Sequence, residues 1–171
     1  EDAIKHLRKS FEQKQSLAPE VHDKVLSLFK RYLLVGGMPD AVNEYLNSHN
    51  IVKVREVQEA IRELYGVDAS RYEEDAAKKL YIRRIYDMIP SQMENKKKRI
   101  VAKDILDCKG DRFSNYVEEF EYLINSGITI ASHAISNPKY PLAESQQKNL
   151  LKLYMNDVGM LTSQLYHYNI Q

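Results

Sequence analysis

Residues 75–135 read DAAKKLYIRRIYDMIPSQMENKKKRIVAKDILDCKGDRFSNYVEEFEYLINSGITIASHAI, and this stretch decides the fold. Apolar residues recur every three or four positions over residues 77–89, a spacing that predicts one buried face of a helix. Pro90 is predicted to end that helix, because proline has no backbone N–H and clashes with the preceding turn. The residues on the predicted buried face are Ala77, Leu80, Tyr81, Ile85, Met88 and Ile89.

A basic turn is predicted next, because residues 91–99 are polar and end in four consecutive cations. Residues 103–107 then favour a short helix, and Gly110 breaks the chain again. The basic turn cannot be core, so it is expected to face solvent.

The clearest helix in the sequence is predicted over residues 113–126, where a continuous apolar stripe runs from Phe113 to Ile124. Asp111 is expected to cap its start, and Gly127 its end. Alternation and β-branched residues predict a strand over residues 127–135 and a second strand near 150–155. The order of helix, turn, two helices and β-hairpin is typical of a winged-helix unit.

The chain before this unit is predicted to be four helices. They cover about residues 2–14, 19–35, 39–47 and 51–65, with breaks at Gly36-Gly37, Ser48 to Asn50 and Gly66. Core-facing positions predicted in the first three are Ile4, Leu7, Phe11, Val21, Val25, Leu28, Phe29, Tyr32, Leu33, Val42, Tyr45 and Leu46, and in the fourth Val54, Val57, Ile61 and Leu64. The chain opens at Glu1 in helical periodicity without an initiator methionine, which we interpret as a fragment of a longer protein.

The predicted fold class is mainly α: a helical bundle followed by a winged-helix-like domain with a small β-wing. The predicted boundaries are a helical segment over residues 1–67, a winged-helix-like domain over 68–155 and the start of a truncated terminal domain over 156–171. Leu161, Leu165, Tyr166, Tyr168 and Ile170 in the last segment are expected to belong to a larger core.

Composition excludes several classes of protein. With 25 basic and 24 acidic residues, overall charge favours neither nucleic acid nor membrane, so electrostatic arguments rest on local clusters. The single cysteine, Cys108, cannot form an intrachain disulfide, and the five scattered histidines show no metal-ligand spacing. No apolar run reaches the roughly 20 residues that span a bilayer. We therefore expect a cytoplasmic protein with no membrane partner.

Three stretches carry a resemblance to a known family. They are FKRYLLVGGMPDAV at residues 29–42, IPSQM at 89–93 and KLYMNDVGML at 152–161. In this order they resemble the middle region of a family of prokaryotic AAA-type ATPases that end in a nuclease-like domain of unknown function. The resemblance implies helices that follow the ATPase core, then a winged-helix-like domain, then the first turn of the terminal domain.

No catalytic or metal-binding residue comes with the resemblance, and no cofactor is expected in this fragment. ATP and magnesium would belong to the full-length protein, whose phosphate-binding loop would precede Glu1. The six glycines here never form such a loop, and Pro39 removes an N–H donor just after Gly36-Gly37, which favours a joint between helices. Asp157 is expected to anchor the turn after the second strand by accepting backbone hydrogen bonds.

The region from Lys78 to Arg112 is locally basic, with eleven cations against five carboxylates. Its candidate nucleic-acid contacts are Lys96, Lys97, Lys98, Arg99, Lys109, Arg112 and Asn115. Against this, residues 113–126 contain Glu118, Glu119 and Glu121 and no cation, so a solvated face of that helix would repel phosphate.

Two hypotheses follow. The first is a non-catalytic module that couples an AAA-type ATPase core to a terminal domain through a winged-helix docking surface; its partners are those two domains, and the isolated fragment is expected to self-associate. The alternative is a winged-helix module that binds duplex DNA through mainly non-specific phosphate contacts. An enzyme is not expected, because the motifs supply no nucleophile, base and orienting group.

Overall fold

The computed structural model of the protein describes residues 2–72, 75–94, 102–106 and 109–166. The helices there are α1 (Asp2–Gln13), α2 (Pro19–Val35), α3 (Pro39–Ser48), α4 (Ile51–Tyr72), α5 (Ala76–Glu94), α6 (Lys103–Leu106), α7 (Val117–Asn125) and α8 (Val158–Leu165). The strands are β1 (Thr129–Ile135) and β2 (Gln146–Met155), and short 3-10 turns span Phe113–Asn115 and Leu142–Ser145. The predicted fold class, a helical bundle with a small β-wing, is confirmed. The finer winged-helix assignment stays a prediction.

Local sequence signals set most helix boundaries. Pro19 and Pro39 stand in the first turns of α2 and α3, where a missing N–H removes no helical hydrogen bond. Gly36 ends α2 with φ of 75°, and Gly127 follows α7 with φ of 74°, a region of backbone conformation that glycine enters without strain. The predicted ends at these glycines are confirmed.

Two predicted helix ends are wrong. Helix α4 continues through Gly66 to Tyr72, and α5 continues through Pro90 to Glu94. A glycine inside a helix costs about 1 kcal/mol and a proline about 3 kcal/mol relative to alanine, amounts that tertiary packing can offset. Ile89 and Pro90 are both buried, so packing of this turn continues past the proline.

The predicted cap on α7 is also wrong. Asp111 makes no cap to α7; its carboxylate instead accepts from the Tyr116 hydroxyl at 2.6 Å and from Asn115 Nδ2 at 3.1 Å. The 3-10 turn that precedes α7 moves the helix start to Val117, beyond the reach of a cap at Asp111.

The main core lies among α5, α7, α8 and the β-hairpin. Its buried residues are Ile82, Ile85, Tyr86, Ile89, Ile105, Tyr116, Phe120, Leu123, Ile128, Leu151, Leu153, Met155 and Met160. A smaller cluster of Val35, Ala41 and Val54 joins α2, α3 and α4. The apolar stripe predicted for α7 is thereby confirmed at Tyr116, Phe120 and Leu123.

The two strands form an antiparallel hairpin. Thr129 pairs with Met155 and His133 with Leu151, and a bulge then shifts the register so that Ala134 pairs with Gln147. The second strand was predicted near residues 150–155; it begins earlier, at Gln146. Leu151, Leu153 and Met155 point into the core, as alternation along a half-buried strand requires.

Several apolar residues predicted to be core are exposed. Phe11 is 85% exposed, Phe29 53% and Tyr32 52%. The others are Ile4, Leu7, Leu28, Leu46, Leu64, Ala77 and Leu80. Helical spacing identifies an apolar face, but it cannot show whether a neighbouring element covers that face.

The carboxy-terminal helix α8 contacts α2, α4, α5 and β2. Leu161 and Leu165 are half-buried, Tyr166 is exposed, and Tyr168 and Ile170 lie outside the described residues. The domain boundaries stay predictions. None of the described helices combines the length and the hydrophobicity that a membrane span requires.

Candidate functional site

The segments 29–42 and 152–161, distant in sequence, meet at one place in the fold. The Asp157 carboxylate accepts hydrogen bonds from the backbone N–H of Gly37 at 2.6 Å and of Met160 at 3.0 Å. The second bond makes Asp157 the cap of α8, and the first joins that cap to the end of α2. The prediction that Asp157 anchors the turn after the second strand by accepting backbone hydrogen bonds is confirmed. We call this contact between residues 33–37 and 157–162, together with the side chains of Arg55 and Gln58 from α4 that bond it, the junction.

Two glycines permit the close approach. A Cβ on Gly36 would lie 2.2 Å from Asp157 Oδ1, and one on Gly159 would lie 2.6 Å from both Gln58 Nε2 and the Val35 carbonyl oxygen. Real side chains do not tolerate such distances, and the atoms around Gly159 include backbone that cannot swing away. Backbone therefore packs directly on backbone at the junction.

The last carbonyls of α2 have no partners within their own helix and are bonded by side chains from α4 and α8. Gln58 Nε2 donates to the carbonyls of Leu34 at 3.1 Å and Val35 at 3.0 Å. Thr162 Oγ1 donates to the carbonyl of Leu33 at 2.8 Å. Gln58 is completely buried, so its amide acts as an internal cap of α2.

Arg55 completes the junction from α4. Its Nη1 donates to Gln58 Oε1 at 2.8 Å, to the Gly159 carbonyl at 3.2 Å and to Thr162 Oγ1 at 3.2 Å. Partial burial lowers the pKa of the Arg55 guanidinium, because the charged form loses hydration. The guanidinium therefore orients Gln58 and Thr162 toward α2.

Sequence analysis did not find Arg55, Gln58 or Thr162. A signal for Gln58 was present: it falls on the same helical face as Val54 and Ile61, where a polar residue interrupts an apolar stripe. The junction contains no nucleophile with an adjacent base, and no group of three metal-ligating side chains occurs among the described residues. Its hydrogen bonds connect α2 to α4 and α8.

The predicted nucleic-acid contacts are only partly described. Lys96, Lys97, Lys98 and Arg99 lie outside the described residues, as does Cys108. Lys109, Arg112 and Asn115 are exposed near the start of α7, and Asn115 donates to Asp111. These three residues lie within seven positions of the chain, and all three are at the surface.

Of the three glutamates of α7 that are predicted to be solvated, Glu119 is instead buried, with only 4% of its surface exposed. Glu118 and Glu121 are exposed, as predicted, and Glu118 also forms an ion pair with Lys78 of α5. The outer face of α7 is therefore less negative than the sequence indicates.

A small surface cleft with a volume of about 20 Å³ lies where α4 faces α5 and α7. Arg62 at its rim donates to both carboxylate oxygens of Glu59 and to Asp87, each at 3.1 Å. The hydrogen bonds to Glu59 are the main cause that raises the pKa of Arg62, and Asp87 adds to it. Arg83 pairs with Glu63 on the same rim.

Tyr86 borders this cleft and is only 5% exposed. Its ring meets the Tyr65 ring edge to face, with centroids 6.1 Å apart. Its hydroxyl is buried and has no hydrogen-bond partner in the described structure. Burial is the largest cause that raises the pKa of Tyr86, because the phenolate would lose its hydration.

Comparison with protein families gives one match. Residues 26–167 match the model of a family described as a domain of unknown function (DUF8612). The match includes the second half of α2 and all of α3 to α8, and therefore both sides of the junction. Comparison with curated proteins gives no significant match, and neither does comparison with solved structures.

Two glycine-to-alanine substitutions should have opposite effects on stability. Gly159→Ala should lower the free energy of unfolding by about 2–4 kcal/mol, because its methyl group would collide with backbone. Gly66→Ala should raise it by about 0.5–1 kcal/mol, because the position is helical and nothing lies within 4 Å of its Cβ. Urea unfolding of both variants checks this, and a stable Gly159→Ala variant would contradict the close packing at the junction.

Tyr86→Phe should raise the free energy of unfolding by up to about 1 kcal/mol at neutral pH, since it removes a buried hydroxyl without a partner. Above the ordinary tyrosine pKa of 10.0, the unfolded chain releases the Tyr86 proton while the folded chain keeps it, so the native state loses stability as pH rises. The variant should lack this loss, which is at most about 1.4 kcal/mol per pH unit.

The control is Tyr140→Phe, at a side chain that is 93% exposed, which should leave the free energy of unfolding at neutral pH unchanged. Denaturant unfolding between pH 7 and 11 measures both effects. Equal alkaline slopes in the parent and in Tyr86→Phe would show that the Tyr86 hydroxyl is hydrated or bonded in the folded state.

Proposed function

The chain belongs to the DUF8612 family, and we propose that it is a non-catalytic module that couples an ATPase core of the AAA type to a terminal domain. The observation that carries the proposal is the junction, in which side chains of α4 and α8 bond the last carbonyls of α2. A displacement of α2 is expected to act on α8 through these bonds. The AAA partner rests on the sequence resemblance.

The position of α8 supports transmission beyond the junction. This helix begins directly after β2 and contacts α5 as well as α2 and α4. Met160 of α8 is fully buried in the same core as Ile85 and Phe120. Movement at the end of α2 would therefore reach the hairpin and the α5–α7 core through one rigid element.

The apolar face of α2 supports a docking role. Leu28, Phe29 and Tyr32 lie on one side of the helix, and each is about half exposed. Aromatic side chains grouped on a surface are typical of interfaces. We propose that the ATPase core covers this face in the longer protein, and that copies of this chain cover it for each other when that core is absent.

Nucleotide chemistry is not proposed for the described residues. The glycines at 36 and 37 enclose the Asp157 carboxylate, which would repel a phosphate. ATP and magnesium are therefore proposed as cofactors of the longer protein only.

Hydrogen–deuterium exchange tests the coupling. Thr162→Val removes the donor to the Leu33 carbonyl with little change in shape, at a cost of about 1 kcal/mol. Amide exchange should rise about fivefold at residues 33–37 and also in β2, because the local stability of both segments depends on the packing of α8.

The matched control is Ser163→Ala. Ser163 is the neighbouring hydroxyl of α8, and it donates to the Met160 carbonyl within the same helix. Its loss should change exchange in α8 but not at residues 33–37. If the effect of Thr162→Val also stays within α8, the helix transmits nothing and the coupling proposal fails.

A second candidate function is duplex DNA binding, favoured by the exposure of Lys109, Arg112 and Asn115 near the start of α7. Each phosphate contact that is lost should reduce the slope of log affinity against log salt by about 0.9. We expect the substitutions Lys109→Gln and Arg112→Gln together to reduce it by about 2.

Fluorescence anisotropy over a salt series measures this slope, with a parallel variant that carries glutamine at Lys96, Lys97 and Lys98. Lys53→Gln, on the exposed side of α4, is the charge-matched control for a single substitution. A slope that these substitutions leave unchanged, or no binding at low salt, would exclude this candidate function and leave the coupling module.

A further inference from the structure

In the described part of the chain, one edge of strand β1 lies beside no other strand. β1 pairs with β2 alone, and its main further contacts are with α7, which precedes it, and with the 3-10 turn of the hairpin loop. Alternate residues of an antiparallel strand direct both N–H and C=O away from the paired strand. Ile130, Ser132 and Ala134 are exposed, so this row of backbone groups is open to a further strand.

The sequence of β1 does not protect this edge. Natural edge strands usually carry charged side chains, proline or a bulge, which prevent pairing with another chain. β1 reads TIASHAI and contains no lysine, arginine, carboxylate or proline. The irregularity of the hairpin after His133 inserts residues 148–150 into β2 alone, so β1 stays continuous. The open edge is therefore suited to strand addition.

The outer face of the hairpin beside this edge is largely apolar. Ile130 pairs with Tyr154 across the hairpin, and these side chains are 56% and 36% exposed. Further along the same face, Ser132 lies opposite Lys152. That cation belongs to β2, one strand away from the open edge. An added strand that carried charges would find no counterion in β1, so an uncharged strand of similar length fits the edge best.

We propose that β1 of a second copy of this chain pairs with this edge, antiparallel and about a two-fold axis at Ser132, the middle residue of the strand. Ser132 then lies opposite its own symmetry mate, and Ile130 lies opposite Ala134, so no like charges meet. The two hairpins form one continuous sheet, with Ile130 and Tyr154 of both copies on its outer face. The self-complementarity of β1 favours a second copy over an unrelated extended peptide. The contact is independent of the coupling proposed above, because β1 contains no residue of the junction.

Disulfide cross-linking tests the axis, in a chain whose single cysteine is replaced by Cys108→Ser. Directly opposite residues of an antiparallel pair have Cα atoms about 4.5–5.5 Å apart, within the range of about 4.4–6.8 Å for disulfides. Ser132→Cys should therefore cross-link to its symmetry mate with copper–phenanthroline as the oxidant. Its matched control is Lys152→Cys, directly opposite Ser132 on β2. Three strand spacings, about 14 Å, would separate the two copies of that thiol.

The cross-linking rate of each thiol is divided by its rate of reaction with a small soluble disulfide, which corrects for exposure. The corrected rate of Ser132→Cys should exceed that of Lys152→Cys at least about tenfold, because only the first thiol lies on the axis. Equal corrected rates would overturn the proposal.

Sedimentation equilibrium separates this contact from association through the exposed face of α2. Phe29→Lys places a charge on that face and should leave the β1 dimer intact. Adding Ser132→Lys should lower the association constant at least about tenfold, because two ammonium groups would lie directly opposite each other. The charge-matched control adds Gln147→Lys instead, at an exposed position of β2, and should have little effect. A Phe29→Lys chain that is monomeric at the highest soluble concentration, or equal losses with both added lysines, would overturn the proposal.

Discussion

The end of helix α2 presents carbonyl groups that its own backbone cannot satisfy, and the rest of the structure depends on how they are bonded. Gln58 donates hydrogen bonds to the carbonyls of Leu34 and Val35, and Thr162 donates one to the carbonyl of Leu33. An unpaired buried carbonyl costs about 1–3 kcal/mol, so these bonds fix where α4 and α8 must lie relative to α2. The position of α8 in turn fixes the strand that leads into it.

The glycines at the junction follow from the same constraint. Side chains that reach the carbonyls of α2 must bring the backbone of α8 very close, and Gly36 and Gly159 are the positions where a Cβ would collide. Asp157 then bonds the Gly37 N–H that the turn leaves exposed. The conformational freedom of glycine matters at Gly36, with its φ of 75°, whereas at Gly159 it is the missing volume that matters.

Sequence reasoning predicted the features that depend on a few neighbouring residues. Pro19, Pro39 and Gly127 set helix boundaries through backbone geometry alone, and Asp157 was recognised as an anchor because a carboxylate after a strand accepts nearby N–H groups. The failures at Gly66 and Pro90 came from treating a local cost as decisive. At Pro90, burial of Ile89 and of the proline itself offsets that cost. Gln58 was missed because its partners lie 23 and 24 residues away. Phe29 and Tyr32 were assigned to the core because periodicity identifies an apolar helix face but does not show whether another element packs against it.

The structure also changes the electrostatic argument about α7. The sequence predicts three solvated glutamates on this helix, which would repel a phosphate backbone. Glu119 is buried and Glu118 is paired with Lys78, so the repulsion at the outer face is weaker than the sequence indicates. Weaker repulsion is not attraction, since no cation lies within α7 itself. Affinity for phosphate would have to come from Lys109, Arg112 and the basic turn, all of which precede the helix. Contacts from such positions would hold a duplex by its backbone and give little readout of base sequence.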